Sequence, residues 1–440
     1  MNCPAYNTPY QVMEEIRIIY QSEATTFDKL LDPVQPFVDE IAQKLNHHHN
    51  EKYFFPEFFR SLIFYFVSGI PSAKLLINTY LKNDLVPKEL NIAKVPYSTF
   101  NDAFERFEPD LFKSIFISLL SSISLQSVPE LSTLGLLYCV DGSLFPTLSS
   151  IHWAVYKKNS NAIRLHLNFE LNRMIPTDIV VGSGNSSERN ALREMLTAGA
   201  TYIADRGYGS FKMYHDIIQA GAHFIIRVKS NLLYNPVMSL TSELPASLNT
   251  LFSEVSDQAI HYDNDPRSYV WRLVRFQVCG EVFCILTDRF DLTTFQIIML
   301  YACRWQVELF FRFIKRTMTG IHLIKHNEDG VTTQFYAILI TALLQLKLKQ
   351  DLIIRKDQDD RRSETENSAA ETDLPDSYHE CGKESDIQSD ELIYHPYQFF
   401  KMIGEKVDKY WKIGIHWLTA LRQILHRPFD DRAVEILNSG

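Results

Sequence analysis

The sequence predicts a mixed α/β sheet with a helical segment ahead of it, on three observations. Apolar residues recur at helical spacing through the first 130 positions. Strand-like and helix-like stretches then alternate from about 134 to 228. A strand-rich stretch follows at 231–293, and two long helical patterns come after it.

Residues 25–125 read as helices, most clearly at Phe55–Phe66 and Phe104–Leu120. Ser98-Thr99 ahead of Phe100-Asn101-Asp102 reads as a helix start. Such a bundle serves equally as a structural cap or as a reader of DNA ends. Leu134–Val140 is an almost continuous apolar run that meets Asp141-Gly142, which predicts a buried strand ending in a turn. Ala162–Leu171 alternates polar and apolar residues, and Ile175–Gly182 is a further strand. Ser186–Ala198 is helical with Ser186 as its N-cap. A short strand at Thr201–Ala204 reaches Asp205, a helix follows at Phe211–Ala220, and a strand at His223–Val228. Val270–Phe276 and Val282–Leu286 are strands within a β-rich insertion at 231–293. Long helices are expected at Thr293–Thr317 and Thr332–Lys349. Residues 351–395 are polar, charged and Ser-rich, an expected disordered linker, and 396–440 return to helix. The expected division is therefore 1–130 helical, 131–350 α/β with the insertion, 351–395 linker and 396–440 helical.

The 440 residues are 46% hydrophobic, enough for a sizeable core, which excludes fibrous and fully disordered classes. The net charge of −9 argues at first against a nucleic-acid partner. Its placement reverses that argument. Residues 351–395 hold 14 acids and 5 bases, so the remainder is neutral, and residues 131–350 hold 21 bases against 18 acids.

Six cysteines without a CxxC spacing favour a reducing cytosol over a disulfide or zinc framework. The first residues have neither the basic nor the apolar part of a signal peptide. The longest apolar run, Phe335 to Leu346, is short for a bilayer span. The His47-His48-His49 run reads as solvated surface rather than a metal site.

Chemistry concentrates at three carboxylates. Asp141 and Asp205 follow apolar strands, at the sheet edge where ligands and reacting groups gather. Glu308 lies on the predicted helix 293–317, with Tyr301, Arg304 and Lys315. At about 100° per residue these four directions fall within roughly 60° of one another. A group of this kind suits phosphodiester chemistry. Carboxylates hold hard divalent ions, Mg²⁺ or Mn²⁺ before zinc. Arg and Lys hold phosphates, and a phenol donates a hydrogen bond to one.

These residues carry a family resemblance. Tyr301-Ala-Cys-Arg304-Trp-Gln-Val-Glu308, with Lys315 after six further residues, matches the Y-x2-R-x3-E-x6-K signature of a group of insertion-sequence DDE transposases. A chance match in one chain is expected on the order of once in a few hundred. Val140-Asp141-Gly142 resembles that group's first-Asp strand end, and Asp205-Arg206-Gly207-Tyr208 its D-x-G-[YF] turn. The likeness spans about residues 95–350 and includes the β-rich insertion. It implies an RNase H-like catalytic core with a helical N-terminal domain. Asp141, Asp205 and Glu308 would be catalytic and bind two Mg²⁺, with Mn²⁺ as a substitute. Tyr301, Arg304 and Lys315 would bind DNA. The implied activity is cut-and-paste transposition. The ends are nicked at terminal inverted repeats, a hairpin forms and reopens, and the released strand joins target DNA. A homodimer on double-stranded DNA, a bacterial cytoplasmic and nucleoid-associated location, and no membrane partner are also implied. The alternatives are a domesticated, non-cleaving DNA binder and another RNase H-like nuclease.

Other residues have two readings. Glu188 and Asp288 could join the site, but surface or capping roles are favoured. Trp271 could stack on a flipped base, although a core position is favoured. Trp305 points away from the catalytic face, towards the core. Lys157, Lys158 and Arg164 line DNA or decorate an exposed turn. Arg312 and Arg316 are placed for phosphate contact by their nearness to Lys315.

Overall fold

In the computed structural model, residues 27–348 are described apart from short stretches, the longest at 243–252. The acidic segment 351–395 and the helical segment 396–440 lie outside the described residues.

Among the described residues, four helices of eight or more residues precede the sheet: α1 (Gln35–Lys44), α2 (Phe55–Ser68), α3 (Tyr97–Arg106) and α4 (Pro109–Ser122). Helix α2 is buried nearly all round. Its Phe58 meets Phe100, Phe104, Phe107 and Phe112 at ring-centre distances of 4.9 to 5.9 Å. Most of these are edge-to-face contacts, which aromatic quadrupoles favour. The α3 start predicted at Ser98-Thr99 lies slightly earlier, with Pro96 as N-cap.

The strands are β1 (Leu136–Thr147), β2 (Val155–Lys157), β3 (Ser160–Glu170), β4 (Ile175–Ser183), β5 (Ala200–Ala204), β6 (His223–Arg227), β7 (Asn235–Ser239), β8 (Ser253–His261), β9 (Val270–Val278) and β10 (Glu281–Thr287). They form one mixed sheet in the order β2-β3-β1-β5-β6-β10-β9-β8-β7, with β4 also paired to β3. Strands β1, β3 and β4 pair antiparallel, whereas β5 is parallel to both β1 and β6. The strand-rich stretch 231–293 therefore extends the main sheet rather than building a second one, because β10 pairs with β6.

Side-chain alternation sends each strand's residues to two faces. Leu137, Cys139, Ile203, Ile225 and Ile285 join the larger hydrophobic cluster, together with the N-terminal helices. Helices α7 (Thr294–Cys303), α8 (Trp305–Thr317) and α9 (Glu328–Leu348) cover that same face. Tyr138, Val140, Tyr202, Ala204, Phe224 and Ile226 point the other way, against α5 (Glu188–Glu194) and α6 (Phe211–Gln219).

Several expectations are corrected. Strand β1 does not end at Asp141-Gly142 but runs on to Thr147. The helix expected over 293–317 is two helices meeting at Arg304. The N-cap of α5 is Ser187 rather than Ser186, and its hydroxyl accepts from the Asn190 N–H. Helix α9 starts four residues before the expected Thr332 and reaches 21 residues. It is long and apolar enough to cross a bilayer, but 78% of its apolar window is buried inside the protein. The described cysteines Cys139, Cys284 and Cys303 are free and buried. Of the histidine run, His47 and His48 lie outside the described residues.

Candidate active site

Two parallel pairings set the site. The β1–β5 register ends at Val140↔Ala204, and the β5–β6 register at Ala204↔Ile226. Asp141, Asp205 and Arg227 each stand one residue further on. Three neighbouring strands, about 4.8 Å apart, thus carry two acids and a guanidinium side by side. By alternation all three belong to the face that α7 and α8 cover.

Asp141 is three-quarters buried. The Gly142 N–H donates to its Oδ1 at 2.8 Å. Burial still pushes its carboxyl up to about 6. The Gly142 bond and Arg304 work against that shift, and Glu308 and Glu188 add to it. Gly142 lies within the strand opposite His166. A Cβ there would stand 3.0 Å from the His166 ring nitrogen Nδ1, so the bare backbone makes room for that ring.

Asp205 begins a 3₁₀ turn over Arg206–Tyr208. The Tyr301 hydroxyl donates to Asp205 Oδ1 over 3.4 Å, a long bond. Burial, then the Asp205 charge, raise the Tyr301 phenol above its ordinary pKa, so it remains a donor. Gly207 lies against the end of the Glu188 side chain, since a Cβ there would fall 2.2 Å from Glu188 Oε2.

Glu308 is fixed from its own segment. Arg304 Nη2 donates to Glu308 Oε1 at 2.7 Å, and Arg304 Nη1 lies 3.9 Å from Asp141 Oδ2. One guanidinium is therefore shared between two of the three carboxylates. Helix α8 buries Val307, Phe310, Phe311 and Ile314, while Glu308 is half-buried and Arg312 and Lys315 face outward. This is the one-sided apolar stripe expected of a helix laid on a sheet. The Lys315 ammonium sits 4.9 Å from the centre of the Phe145 ring. Partial burial lowers its pKa and Asp141 pulls the other way.

Tyr301, Arg304, Asp141, Asp205 and Glu308 are thus linked by direct contacts, and Lys315 is electrostatically joined to them through Asp141. Among the described residues, no three His, Cys, Asp or Glu side chains converge on one ion position. The donor chemistry nevertheless fits a hard divalent cation, being all carboxylate oxygen. The Arg304 guanidinium lies between Asp141 and Glu308.

Sequence reasoning missed Arg227. Its guanidinium carbon lies 4.3 Å from the centre of the Phe283 ring, which in turn contacts Tyr301. A lone Arg after an apolar strand carries no motif, and only the register reveals it. Glu188 proves closer to the centre than a capping role requires. It pairs with Arg164 at 2.7 Å and raises Asp141. Arg164 is therefore held in an ion pair rather than in an exposed turn, while Lys157 is exposed beside Tyr156.

Asp288 is a capping residue at the opposite end of β6, accepting from the Phe224 N–H at 2.9 Å and lying 2.6 Å from His223 Nδ1. Trp271 is 2% exposed and its indole N–H donates to buried Asp265 at 2.9 Å. It is a core residue and has no face open to a base. Lys158 and the side chains of Trp305 and Arg316 lie outside the described residues.

The sequence has similar counterparts among known proteins. Residues 133–344 match the family model described as Transposase DDE domain. A putative transposase, y4zB, from Sinorhizobium fredii is 25% identical over 225 residues, covering 50% of this chain and 63% of that protein. The probable transposase for insertion sequence element IS5377 of Geobacillus stearothermophilus is 23% identical over 252 residues, 56% of this chain and 66% of the relative. The putative transposase for insertion sequence element IS4SA of Synechocystis is 22% identical over 276 residues, covering 61% and 76%. The chain thus spans less than two thirds of the length of the first two relatives.

Proposed function

The chain belongs to the DDE transposases, and we propose that it cuts the terminal inverted repeats of an insertion sequence and joins the freed ends to target DNA. The observation that carries this reading is the register that sets Asp141 and Asp205 side by side, with Glu308 tied to Asp141 through Arg304. In this reading the core is RNase H-like. Three antiparallel strands followed by two parallel ones, in the order β4-β3-β1-β5-β6, support that assignment. Residues 131–350 form the catalytic part with an insertion at 231–293. Residues 1–130 are the helical part, 351–395 an acidic linker and 396–440 a further helical segment.

Asp141, Asp205 and Glu308 would hold divalent ions, Mg²⁺ or Mn²⁺. When bound, such ions supply Lewis-acid stabilisation of the phosphate and a more acidic water or hydroxyl nucleophile. The protein's own part is positional. Tyr301 donates a hydrogen bond, and Arg304 offers a planar fork that matches two phosphate oxygens. Lys315 and Arg227 add fixed positive charge on either side. Water attacks first and leaves a 3′-hydroxyl at the element's end. That hydroxyl then displaces the opposite strand, giving a hairpin that a second hydrolysis opens before the end joins target DNA. The partner in this scheme is double-stranded DNA, bridged by two copies of the chain in the bacterial cytoplasm at the nucleoid.

The test is Mg²⁺-dependent cleavage of a duplex bearing the element's end, with Asp205→Ala as the comparison. Cleavage is expected in wild type and loss of about 10³-fold or more in the variant, several kcal/mol of transition-state stabilisation. Equal rates in the two proteins would refute the catalytic assignment. Binding of the correct end with cleavage by neither would instead indicate a non-cleaving DNA binder.

Lys315→Ala separates binding from chemistry. The substitution should weaken binding of the end duplex and reduce the slope of log affinity against log salt by about one. A salt slope equal to wild type would remove Lys315 from the phosphate contacts.

A further inference from the structure

We propose that Arg304 is a latch that makes divalent-cation binding and DNA-strand binding mutually reinforcing, an inference that rests on the site reading above. The same guanidinium lies 2.7 Å from Glu308 and 3.9 Å from Asp141, and the Tyr301 hydroxyl lies 3.4 Å from Asp205. Each of the three carboxylates is thus engaged by one of the two residues assigned to grip the DNA strand. The two engagements compete. Arg304 meets Glu308 through Nη2 and Asp141 through Nη1, the pair of nitrogens that would otherwise be offered together to two phosphate oxygens. Asp141 and Glu308 cannot close on a shared cation while a guanidinium lies between them.

A phosphodiester that draws Arg304 away leaves two carboxylates facing each other without their cation. Their mutual repulsion then favours a divalent ion. Linkage makes the effect reciprocal, so an ion that displaces Arg304 frees it for phosphate.

The backbone provides a place for this exchange. At the junction of α7 and α8 the Arg304 N–H bonds the Tyr301 carbonyl, and the Val307 N–H bonds the Arg304 carbonyl. These are tightened, three-residue bonds between two ordinary helices, the kind of local irregularity that often marks a hinge. Helix α7 is anchored separately at its far end, where Thr293 forms a capping box with Gln296. Arg304 can therefore reorient at the junction without either helix unwinding.

The experiment measures Mn²⁺ affinity of the full chain without DNA, by electron paramagnetic resonance, for wild type, Arg304→Gln and Arg304→Lys. Arg304→Gln is expected to bind Mn²⁺ about tenfold more tightly, within the usual range of couplings between sites. Arg304→Lys, which keeps the charge but not the fork, should fall between the two. Asp205→Asn should weaken binding and so locate the signal at this site. Unchanged or weaker binding in Arg304→Gln would overturn the latch.

Should Arg304→Gln fail to fold by near-UV circular dichroism, the end duplex carries the test. Wild type should bind Mn²⁺ about tenfold more tightly with duplex than without, and Arg304→Lys should show a clearly smaller gain. Equal gains refute the proposal. Cleavage of the same duplex by wild type distinguishes the two levels. With cleavage present, a null result at Arg304 refutes the latch alone. With neither cleavage nor Mn²⁺ binding, the site reading fails as well.

Discussion

Asp141→Asn is expected to abolish DNA cleavage and, in the presence of a chelator, to make the protein more stable. The carboxyl's pKa rises from an ordinary 3.8 to about 6 on folding, chiefly because it is buried. A raised folded-state pKa means that the folded chain holds this proton more tightly than the unfolded chain. Below about pH 4 both states are protonated and the group is neutral to stability. As pH rises through 6 the folded state must carry a buried charge, and stability falls by up to about 3 kcal/mol.

Asn resembles the protonated acid and escapes that cost. The gain should be absent at pH 4 and fully present at pH 8. There it is expected to reach about 2 kcal/mol after allowance for solvent screening, a rise of several degrees in melting temperature. Thermal melts at the two pH values check the sign. An equal melting temperature for both proteins at pH 8 would show that Asp141 is not under electrostatic stress. The cleavage rate should fall by about 10³-fold or more. Function and stability are opposed at this residue, as expected where a site must gather negative charge before its counter-ion arrives.

The second large effect lies away from the carboxylates. Arg272 and Asp257 are 4% and 0% exposed in their side chains and form a two-pronged ion pair at 2.9 and 2.6 Å. The remaining guanidinium nitrogen donates to the Arg289 and Leu292 carbonyls, and Thr294 donates to Asp257 at 2.6 Å. The pair therefore fastens β8 and β9 to the first turn of α7, whose last turn carries Tyr301.

Arg272→Met should destabilise the protein by about 3–5 kcal/mol, because Asp257 would be left as a buried, unpaired charge. The double variant Arg272→Met/Asp257→Leu should recover part of that loss, since no orphan charge remains. Urea denaturation provides the measurement. An unchanged midpoint in Arg272→Met would dismiss the clamp, and a double variant no better than the single would assign the loss to shape rather than charge.

Much of this site can be read from the chain alone, and the exceptions have physical causes. Asp141 and Asp205 are visible because each directly follows a short apolar run, which marks a buried strand, although only Asp205 stands just past its strand's end. Glu308 is visible because Tyr301, Arg304 and Lys315 surround it at helical spacing. The turn expected at Asp141-Gly142 is absent because this glycine serves a neighbour, the His166 ring, rather than a bend. The break at Arg304 is invisible because no Gly or Pro marks it and Arg304 itself keeps helical angles, φ −53° and ψ −30°. Arg227 and Glu188 reach the site through register and tertiary pairing, neither of which leaves a local pattern. The tie between Trp271 and Asp265 depends on how the loop joining β8 and β9 folds back on β9.

The shared end point of the parallel pairings, Val140↔Ala204↔Ile226, makes this site a matter of phase. Inserting or deleting a single residue within Leu136–Val140 would turn Asp141 to the opposite side of the sheet, towards α5 and α6. The same change in the connection after β4 would leave every acid where it stands. What the chain must keep is the count, modulo two, from the apolar run to the acid. Low overall identity among proteins of this build is compatible with an unaltered site for that reason. An engineer who wished to move these carboxylates would have to shift a whole strand rather than a residue.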